Sequence, residues 1–548
     1  MLNTNDIGYI YIIFFSLPIA LVLTFLGSLF KKKVINRIVS IFIWVLLYAL
    51  FVAESVYFSF YKTICGVSAL MYGGQVMEFF STILTHVKLH LPYFLILLIP
   101  LLILFILSFN KKAEFNKFDG KDTAILLIAM LLLNMSVLEY KKNDSDSSYA
   151  LFYETNDLMQ GTNRFGVITS VILDAVKLMG DFEEVVELQE KLPFTKESGV
   201  EYNVLDIDFD RLIAGEKDST IKTMHKYFNT SDVTEKNEYT GIFAGKNLIF
   251  ITAEAFYPIG VDPVYTPTLY KLVNEGFVFN NYYQPIYNCS TSDGEFINNL
   301  SLLPGVSTCS MDQTEKVYFP YALGNIFNEY GYNSYAFHGW TYTYYKRHIT
   351  YPNLGYNYYG YDRYKRGYKN ALKGIKDSWP TSDIDVARSS YDVFKDDNKF
   401  MAYYMSISGH LEYNFGGGNS TSIRYKDLVK DLPYSTAVKA YLAAQIELDR
   451  AMELLLKKLE ESGKLDNTVI VLTADHFPYN LSLNDINTLS SYKRDLMIEA
   501  NSNNLIIYNS KMKRVKVDKV GMSIDVLPTV LNLFGMEYDS RIIMGKDI

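Results

Sequence analysis

The sequence has little cysteine and no excess of basic residues. Its three cysteines, Cys65, Cys289 and Cys309, include no CxxC pair, so neither a disulfide scaffold nor a zinc ribbon is indicated. Cys289 and Cys309 could pair in an exported protein, and two free thiols are the open alternative. Lys and Arg total 52 against 60 Asp and Glu, a net charge of -8 with no basic block outside the predicted membrane loops. Nucleic-acid binding therefore lacks electrostatic support.

Long apolar stretches are, in contrast, abundant. With 548 residues and 49% hydrophobic content, the chain is too long for one ordinary domain and too apolar for a wholly soluble protein. Four stretches have about the 20 residues that a membrane-spanning helix needs. They cover about 9–30, 38–60, 91–109 and 122–138. We therefore predict a transmembrane bundle over residues 1–138.

Positive charges beside these stretches predict the orientation of the bundle. They follow the first and third stretches, at Lys31, Lys32, Lys33 and Arg37, and at Lys111, Lys112, Lys117 and Lys121. Short loops rich in Lys and Arg face the cytoplasm. The N-terminus, which has neither residue before the first stretch, and everything after residue 139 should then lie outside.

Residues 64–87 are the ambiguous part of this prediction. They contain a pair of glycines and Glu78, and they could be read as a fifth crossing. If the C-terminal part stays outside, a fifth crossing would move the basic loop at 31–37 outside as well, against the charge rule. We therefore predict an amphipathic stretch at the outer membrane interface.

The rest of the chain divides into a linker and a folded domain. Residues 139–245 combine a polar segment with a helical pattern at 166–191, which predicts an extracytoplasmic linker with helices. From 246 to 548, apolar strand-like runs alternate with helical patterns such as 436–464. This alternation predicts an α/β domain whose sheet is covered by helices on both faces.

Four predicted strands of this domain end in titratable residues. These residues, which lie at or just after the strand ends, are Glu254, His338, His410, and Asp475 with His476. Each residue alone is more simply explained as a loop-capping acid or a hydrogen-bonded histidine. Together they would meet at the carboxyl edge of a parallel sheet, where open α/β folds bind ligands. The two carboxylates and the imidazole of Glu254, Asp475 and His476 suit Mn²⁺, Mg²⁺ or Zn²⁺.

A hydroxyl nucleophile is offered by the stretch NCSTSDGEF at 288–296. Ser292 and Glu295 have the spacing of a capping box, which predicts a helix with Thr291 at its N-terminus. The amides of a helix N-terminus favour an anion. A divalent metal on the Thr291 oxygen would lower its pKa and hold it in line with a phosphorus atom. By itself, Thr291 would be interpreted as an ordinary cap residue.

In chain order, these motifs resemble the sulfatase-like phosphotransferases of the lipoteichoic acid synthase family. The motifs are an apolar strand followed by Glu254, then TSDGEF, FHG, a serine four residues before His410, and ADH. The resemblance covers the C-terminal domain and the preceding membrane bundle. It implies a membrane bundle followed by a sulfatase- or alkaline-phosphatase-like α/β domain over 246–548, with a mostly parallel sheet.

The resemblance also implies a role for each site residue. One divalent ion, with Mn²⁺ as the first candidate, would be bound by Glu254, Thr291, Asp475 and His476. Substrate would be contacted by His410, Arg347, His338 and Tyr345. Thr291 would take glycerol phosphate from phosphatidylglycerol, release diacylglycerol, and pass the group to a glycolipid or polyglycerol-phosphate acceptor. The enzyme would be a multi-pass protein of the bacterial cell membrane with an extracytoplasmic catalytic domain.

Some residues depart from the family pattern and leave rival functions open. Tyr345 stands where tryptophan is usual, Ser290 where a lysine often precedes the threonine, and Trp340 where a polar residue is common. A sulfatase-like hydrolase is disfavoured, because Cys289 is not followed by the proline and arginine of C/S-x-P-x-R. A phosphoethanolamine transferase, which also uses a metal-bound threonine, stays open. So does an inactive membrane-anchored protein that binds a polymer or a partner.

Overall fold

The computed structural model describes residues 8–61, 64–67, 87, 90–110, 117–140, 142, 147–180, 192–287, 289–305, 309–495 and 498–548. The chain divides into two compact units. The first comprises residues 1–187 and 306–308, and the second comprises residues 188–305 and 309–548. The first contains the predicted membrane spans, and the second contains the predicted α/β domain.

Within the described residues, the first unit has four helices that are long and apolar enough to cross a membrane. They are α1 (Gly8–Leu26), α2 (Lys33–Tyr61), α3 (Leu91–Phe109) and α4 (Gly120–Glu139). The four predicted spans match them, although α1 ends earlier and α2 begins earlier than predicted. Lys33 and Arg37 lie in the first turns of α2, because lysine and arginine are good helix formers. The predicted interfacial stretch 64–87 lies mostly outside the described residues.

Three shorter helices also belong to the first unit. They are α5 (Ser148–Tyr153), α6 (Leu158–Phe165) and α7 (Val167–Met179). The Phe165 ring packs against the Phe15 ring of α1 with centroids 4.7 Å apart, and both are buried with Leu138 and Leu151. The first part of the predicted linker therefore packs with the apolar helices. The helical pattern predicted at 182–191 falls outside the described residues.

The rest of the predicted linker, residues 192–245, packs within the second unit. It contains α8 (Phe209–Gly215) and α9 (Ser219–Asn229). The Leu205 amide donates to Asp539 Oδ2 at 3.1 Å, and the Phe243 amide donates to the Leu533 carbonyl at 2.8 Å. Phe243 is buried in the core of the α/β domain. We refer to residues 192–245 as the arm.

The strands of the second unit form two sheets. In chain order, they are β1 (Asn247–Ala253), β2 (Phe277–Phe279), β3 (Tyr282–Tyr283), β4 (Asn333–Thr341), β5 (Asn357–Tyr361), β6 (Phe400–Met405), β7 (Thr468–Ala474), β8 (Ser502–Asn503), β9 (Ile506–Tyr508), β10 (Val515–Val517) and β11 (Gly521–Met522). Among the described residues, the larger sheet has eight strands in the order β10-β2-β9-β7-β1-β6-β4-β5, and the smaller has the order β11-β3-β8. Strands β7, β1, β6, β4 and β5 are parallel neighbours, and β9 is antiparallel to β7 and β2.

Helices cover both faces of the larger sheet, as predicted. The helices are α10 (Pro267–Asn274), α11 (Thr291–Leu300), α12 (Ser310–Gln313), α13 (Leu323–Glu329), α14 (Arg347–Asn353), α15 (Asp383–Phe394), α16 (Ser420–Arg424), α17 (Lys426–Val429), α18 (Thr436–Glu461), α19 (Leu483–Thr488) and α20 (Val526–Phe534). Successive residues of β1 enter opposite cores, since side chains alternate along a strand. Leu248 packs on the side of α20, and Ile249 packs on the side of α18. The predicted α/β architecture is confirmed.

Candidate active site

Glu254 and Asp475 emerge side by side from two adjacent strands. β1 and β7 are parallel, with Ala253 opposite Ala474, so the next residue of each strand is a carboxylate. The Ala255 amide donates to Asp475 Oδ1 at 2.8 Å, and the Asp475 amide donates to the Ala253 carbonyl at 3.3 Å. The side chains are buried, with 4% of Glu254 and 1% of Asp475 exposed. The sheet therefore holds two carboxylates together at its carboxyl edge.

Thr291 is the first residue of α11, as predicted, and this helix is buried along its whole length. Asn298 ties the helix to the sheet edge, because its Nδ2 donates to Thr252 Oγ1 at 3.1 Å. Gly294 permits the close packing, since a Cβ there would lie 2.5 Å from the Asp475 carbonyl oxygen. The N-terminal amides of α11, which favour an anion, thus lie beside the two carboxylates.

The Thr291 hydroxyl contacts the polar residues of both strands. Its Oγ1 donates to Glu254 Oε2 at 3.2 Å and lies 3.4 Å from His476 Nε2. His476 Nε2 is 3.5 Å from Glu254 Oε1 and 3.2 Å from Asp475 Oδ2. His476 Nδ1 lies 2.9 Å from the Phe477 carbonyl, which can only accept, so Nδ1 carries the proton. The lone pair of Nε2 is then directed into the cluster.

The residues of this cluster fit a divalent cation. Glu254, Asp475 and His476 each offer one ligand atom within 4.8 Å of the others. Burial raises the pKa of Glu254 well above its usual value, and the neighbouring Asp475 raises it further. Asp475 Oδ2 is buried and accepts no hydrogen bond from the described residues. Adjacent buried carboxylates require a compensating positive charge, and two oxygens with one imidazole suit Mn²⁺, Mg²⁺ or Zn²⁺.

Arg347 forms a buried ion pair with Glu295 of α11. Its Nε and Nη2 lie 3.0 Å and 2.6 Å from Glu295 Oε1, and the two side chains are 1% and 0% exposed. The predicted capping box is therefore wrong, because Glu295 binds Arg347, and Ser292 Oγ has no partner among the residues described. Arg347 Nη1 also has no hydrogen-bond partner among the described residues, which leaves one donor group for a ligand. The ring of Tyr345 lies 5.1 Å from the Arg347 guanidinium.

His338 and His410 belong to two neighbouring strand segments of the same sheet, since β4 and β6 are paired. His338 is within β4, with Nδ1 3.0 Å from the Met405 carbonyl, and burial lowers its pKa well below the usual value. His410 follows β6, and its Nδ1 lies 2.8 Å from the Leu411 carbonyl. Burial lowers the pKa of His410 to about 4, although the hydrogen bond to the Leu411 carbonyl opposes this shift. Both histidines are therefore neutral at physiological pH.

Strained backbone adjoins three of the predicted site residues, Glu254, Thr291 and Arg347. In each case the neighbour is a residue other than glycine in the left-handed region. These neighbours are Ala255, Ser290 and Lys346, with φ values of 50°, 48° and 53°. Such conformations cost free energy and persist where the surroundings impose them, which is common at functional sites.

Two features beside Thr291 were not predicted. Cys289 and Cys309 form a disulfide, with a Cα–Cα distance of 5.4 Å, where the sequence left pairing open. Asp293 is fully buried, and its Oδ2 accepts the Cys289 amide at 2.7 Å. Burial raises the pKa of Asp293 to about 7, although the amides of Cys289 and Ser310 oppose this shift. The two cysteines that flank TSDGE, 20 residues apart, were a usable signal, whereas nothing local marks Asp293 as buried.

Comparison with known proteins identifies the family of the second unit. A family model described as sulfatase matches residues 246–536, which include Glu254, Thr291, Asp475 and His476. The chain belongs to the sulfatase family. The matched range covers both strand ends, α11 and the loop after β6, so the described site lies entirely within the family domain.

Members named lipoteichoic acid synthase are among the relatives of this sulfatase-family chain. Lipoteichoic acid synthase 2 of Bacillus subtilis is 24% identical over 568 aligned residues, which cover 98% of this chain and 78% of that protein. Lipoteichoic acid synthase of Staphylococcus aureus is 25% identical over 526 residues, covering 92% and 73%. The crystal structure of the lipoteichoic acid synthase LtaP from Listeria monocytogenes has a TM-score of 0.50 at 24% identity, covering 60% of this chain and 80% of that chain. That structure shows the same fold, and the predicted family of sulfatase-like phosphotransferases is confirmed.

Proposed function

We propose that the chain is a metal-dependent phosphoglycerol transferase that acts through a phosphorylated Thr291. The observation that carries this proposal is the position of the Thr291 hydroxyl, 3.2 Å from Glu254 Oε2 and 3.4 Å from His476 Nε2 at the start of a buried helix. A hydroxyl held against a carboxylate and an imidazole is arranged as a nucleophile, since these groups favour its deprotonation. The relatives named lipoteichoic acid synthase support transfer of glycerol phosphate to a cell-envelope acceptor.

In the first step, Thr291 Oγ1 would attack the phosphorus of phosphatidylglycerol. The oxygen–phosphorus bond to diacylglycerol breaks, and diacylglycerol leaves with a proton. The N-terminal amides of α11 and Nη1 of Arg347 would donate to the phosphate oxygens. A divalent ion held by Glu254, Asp475 and His476, for which we propose Mn²⁺, would lower the pKa of the hydroxyl and offset the phosphate charge. Tyr345 and His338 would line the glycerol-phosphate pocket.

In the second step, the acceptor hydroxyl would attack the phosphorus on Thr291. The bond from phosphorus to Thr291 Oγ1 breaks, and this oxygen regains a proton. His410 would accept the proton of the acceptor, because its Nδ1 donates to the Leu411 carbonyl and its Nε2 carries the lone pair. Because its pKa is lowered to about 4, the ring is neutral at physiological pH, and Nε2 is unprotonated before this step.

The proposed location is the outer side of a bacterial cell membrane. Four apolar helices supply the membrane anchor, and the basic residues at 31–37 and 111–121 favour cytoplasmic loops between them. A disulfide at Cys289 and Cys309 supports an oxidising, extracytoplasmic compartment for the second unit. A catalytic unit kept near the outer leaflet would have direct access to a phospholipid donor.

The disulfide also bears on the rival hydrolase. Sulfatases of the hydrolytic kind convert a cysteine or serine to formylglycine, and Cys289 is the cysteine of this region. Because Cys289 is bonded to Cys309, it is not available for that conversion, and Thr291 is the residue that contacts Glu254 and His476. A phosphoethanolamine transferase differs from our proposal only in the headgroup of the donor.

Turnover of defined lipids tests the proposal. The full-length chain in vesicles with Mn²⁺ should release diacylglycerol from phosphatidylglycerol and much less from phosphatidylethanolamine. Thr291→Ala should lower this rate by about 10³-fold or more, as expected for loss of a nucleophile. Thr436→Ala is the matched control, because Thr436 also opens a helix but is exposed. Equal turnover by the Thr291 variant, or release only from phosphatidylethanolamine, would overturn the proposed nucleophile or donor respectively.

A further inference from the structure

The segment that follows edge strand β5 has a concentrated positive charge. Residues 362–377, here called the basic loop, contain six Lys and Arg residues and two Asp residues, a net charge of +4 in a chain whose net charge is -8. Its exposed basic residues are Lys365, Arg366, Lys369, Lys373 and Lys376. Aromatic and small residues separate these charges in sequence, so no basic block was recognised from the sequence. Clustered cations of this kind raise the local concentration of an anionic ligand.

The basic loop is held in a fixed conformation on the sheet. The Asp362 carboxylate accepts the amides of Arg366, Gly367 and Tyr368 at 2.8 to 3.0 Å. The Tyr368 ring stacks on Tyr342, with centroids 4.1 Å apart and an angle of 2° between the planes. An ordered loop loses less conformational entropy when it binds a ligand, so its charges are preorganised.

Two tryptophans connect the basic loop to the candidate active site. The guanidinium of Arg363 lies 4.3 Å from the centroid of the Trp340 ring, within the range of a cation–π contact. Trp340 packs edge to face on Trp379 at 4.6 Å, and Trp379 packs in the same way on His410 at 4.6 Å. A continuous row of contacting side chains therefore runs from His410 to the basic loop.

One short segment fixes both ends of the contact between Trp379 and His410. The Ser420 amide donates to the Trp379 carbonyl at 2.8 Å, and Asn419 Nδ2 donates to the His410 carbonyl at 2.7 Å. Thr421 Oγ1 also donates to the Ser408 carbonyl at 2.9 Å. Trp379, which is half-buried, is therefore held in register with the loop that carries His410.

We propose that the basic loop, together with Trp379, is the subsite for the acceptor, and that this acceptor is a polyol-phosphate chain extending away from the active site. This inference rests on the proposed function and assigns its second substrate. Phosphates of the chain pair with the exposed Lys and Arg side chains, and its carbon backbone packs on Trp379. The row from His410 places such a chain with its terminal hydroxyl at the residue that accepts its proton. This continuity with His410 favours a polymer over an anionic membrane surface, which would need no connection to the catalytic histidine.

The chain provides a matched control for the charge of the loop. Residues 511–519 contain five Lys and Arg residues and one Asp residue, which also gives a net charge of +4. They include β10, at the opposite edge of the sheet from β5. Lys513, Arg514 and Lys516 are exposed. Reversing charge here changes the global charge equally without touching the basic loop.

The experiment measures binding of a fluorescent glycerol-phosphate oligomer to the full-length protein. All variants carry Thr291→Ala, so binding does not depend on turnover, and failure of the proposed function leaves this test interpretable. The triple variant Lys365→Glu, Arg366→Glu and Lys369→Glu should weaken binding at least about tenfold. Its remaining affinity should also change less with salt concentration than that of the parent protein. Lys513→Glu with Arg514→Glu and Lys516→Glu should change affinity by less than about twofold. Thermal unfolding of each variant checks that the fold is retained.

Three outcomes overturn the inference. Equal weakening by both triple variants means that global charge is responsible, and unchanged binding by the loop variant means that the oligomer binds elsewhere. Loss of binding to vesicles of phosphatidylglycerol, with oligomer binding retained, would assign the basic loop to the membrane surface. Selective loss of oligomer binding in the loop variant supports the acceptor subsite.

Discussion

At the scale of single residues, the candidate site is governed by the placement of two carboxylates that form no ion pair with a lysine or arginine among the described residues. Glu254 and Asp475 follow paired strands, and water is largely excluded from both. Arg347 is paired with Glu295, so it does not neutralise them directly. Burial and Asp475 favour the protonated form of Glu254, whereas a metal ion requires the ionised form. Proton and metal should therefore compete at this residue.

This competition predicts a pH-dependent stabilisation by metal. Because the pKa of Glu254 is raised in the metal-free fold, its protonated form stabilises that fold at low pH, and this contribution is lost as pH rises through the raised pKa. Mn²⁺ should consequently raise the melting temperature more at about pH 8 than at about pH 6. Where free metal is about 100 times Kd, binding adds about 2.7 kcal/mol to the free energy of unfolding. Thermal unfolding with and without Mn²⁺ measures the effect.

Two variants sharpen this prediction. Glu254→Gln should abolish the stabilisation by Mn²⁺ and leave the metal-free protein at least as stable as the unmodified one near neutral pH, since a carboxyl group that is costly to ionise in the fold is replaced by a neutral amide. Glu453→Gln, in an exposed carboxylate of α18, should behave like the unmodified protein. A full Mn²⁺ effect in Glu254→Gln would contradict the assignment of this residue as a ligand.

At the scale of secondary-structure elements, the site depends on how α11 is fixed against β1 and β7. Asn298 bonds the helix to Thr252, Gly294 packs on the Asp475 backbone, and Arg347 holds Glu295. The Cys289–Cys309 disulfide closes the segment that contains this helix. The position of Thr291 therefore depends on contacts from several distant parts of the sequence.

Loss of the disulfide should affect both stability and catalysis. Replacing Cys289 and Cys309 by alanine removes a cross-link that closes a loop of 20 residues, and a loop of this size contributes about 3 kcal/mol. The melting temperature should fall, and kcat for diacylglycerol release should fall with it, because the N-terminus of α11 loses its restraint. Cys65→Ala, at the free cysteine of the first unit, is the control. Unchanged kcat in the double variant would mean that the disulfide does not position Thr291.

The elements were predictable where local pattern and topology agree. Runs such as 469–474 are apolar enough to mark strands buried on both faces, and the carboxyl ends of parallel strands meet, so Glu254, Asp475 and His476 could be grouped from the sequence. The capping box failed because Glu295 binds Arg347, a partner 52 residues away that no local rule includes. The buried state of Asp293 likewise arises from tertiary packing.

At the scale of the whole molecule, the arm extends the catalytic unit beyond the family domain. The family model begins at residue 246, yet Leu205 and Phe243 bond to the C-terminal segment, and Phe243 is only 2% exposed. Its ring packs edge to face on Phe277 and Phe534, at 6.5 Å and 6.0 Å. The arm therefore contributes to the hydrophobic core. The sequence predicted these residues as part of a linker ending at 245, because their composition does not show that they pack against the domain.

A core truncation tests this role of the arm. Phe243→Ala should lower the free energy of unfolding by about 3–5 kcal/mol, as buried Phe to Ala substitutions do. Thermal unfolding of the purified chain should show a lower melting temperature for the second unit. Val264→Ala, at a side chain that is 75% exposed, should leave it within experimental error. A melting temperature unchanged by Phe243→Ala would mean that the arm is not part of the core.

The covalent state of Thr291 during turnover tests the central claim most directly. The full-length chain would be incubated with Mn²⁺ and phosphatidylglycerol without acceptor, quenched in acid, digested, and its peptides sequenced by mass spectrometry. We expect glycerol phosphate on Thr291, its loss when a glycerol-phosphate oligomer is added before the quench, and no modified peptide from Thr291→Ala. Diacylglycerol release with Thr291 unmodified, or with the group on another side chain, would contradict the account.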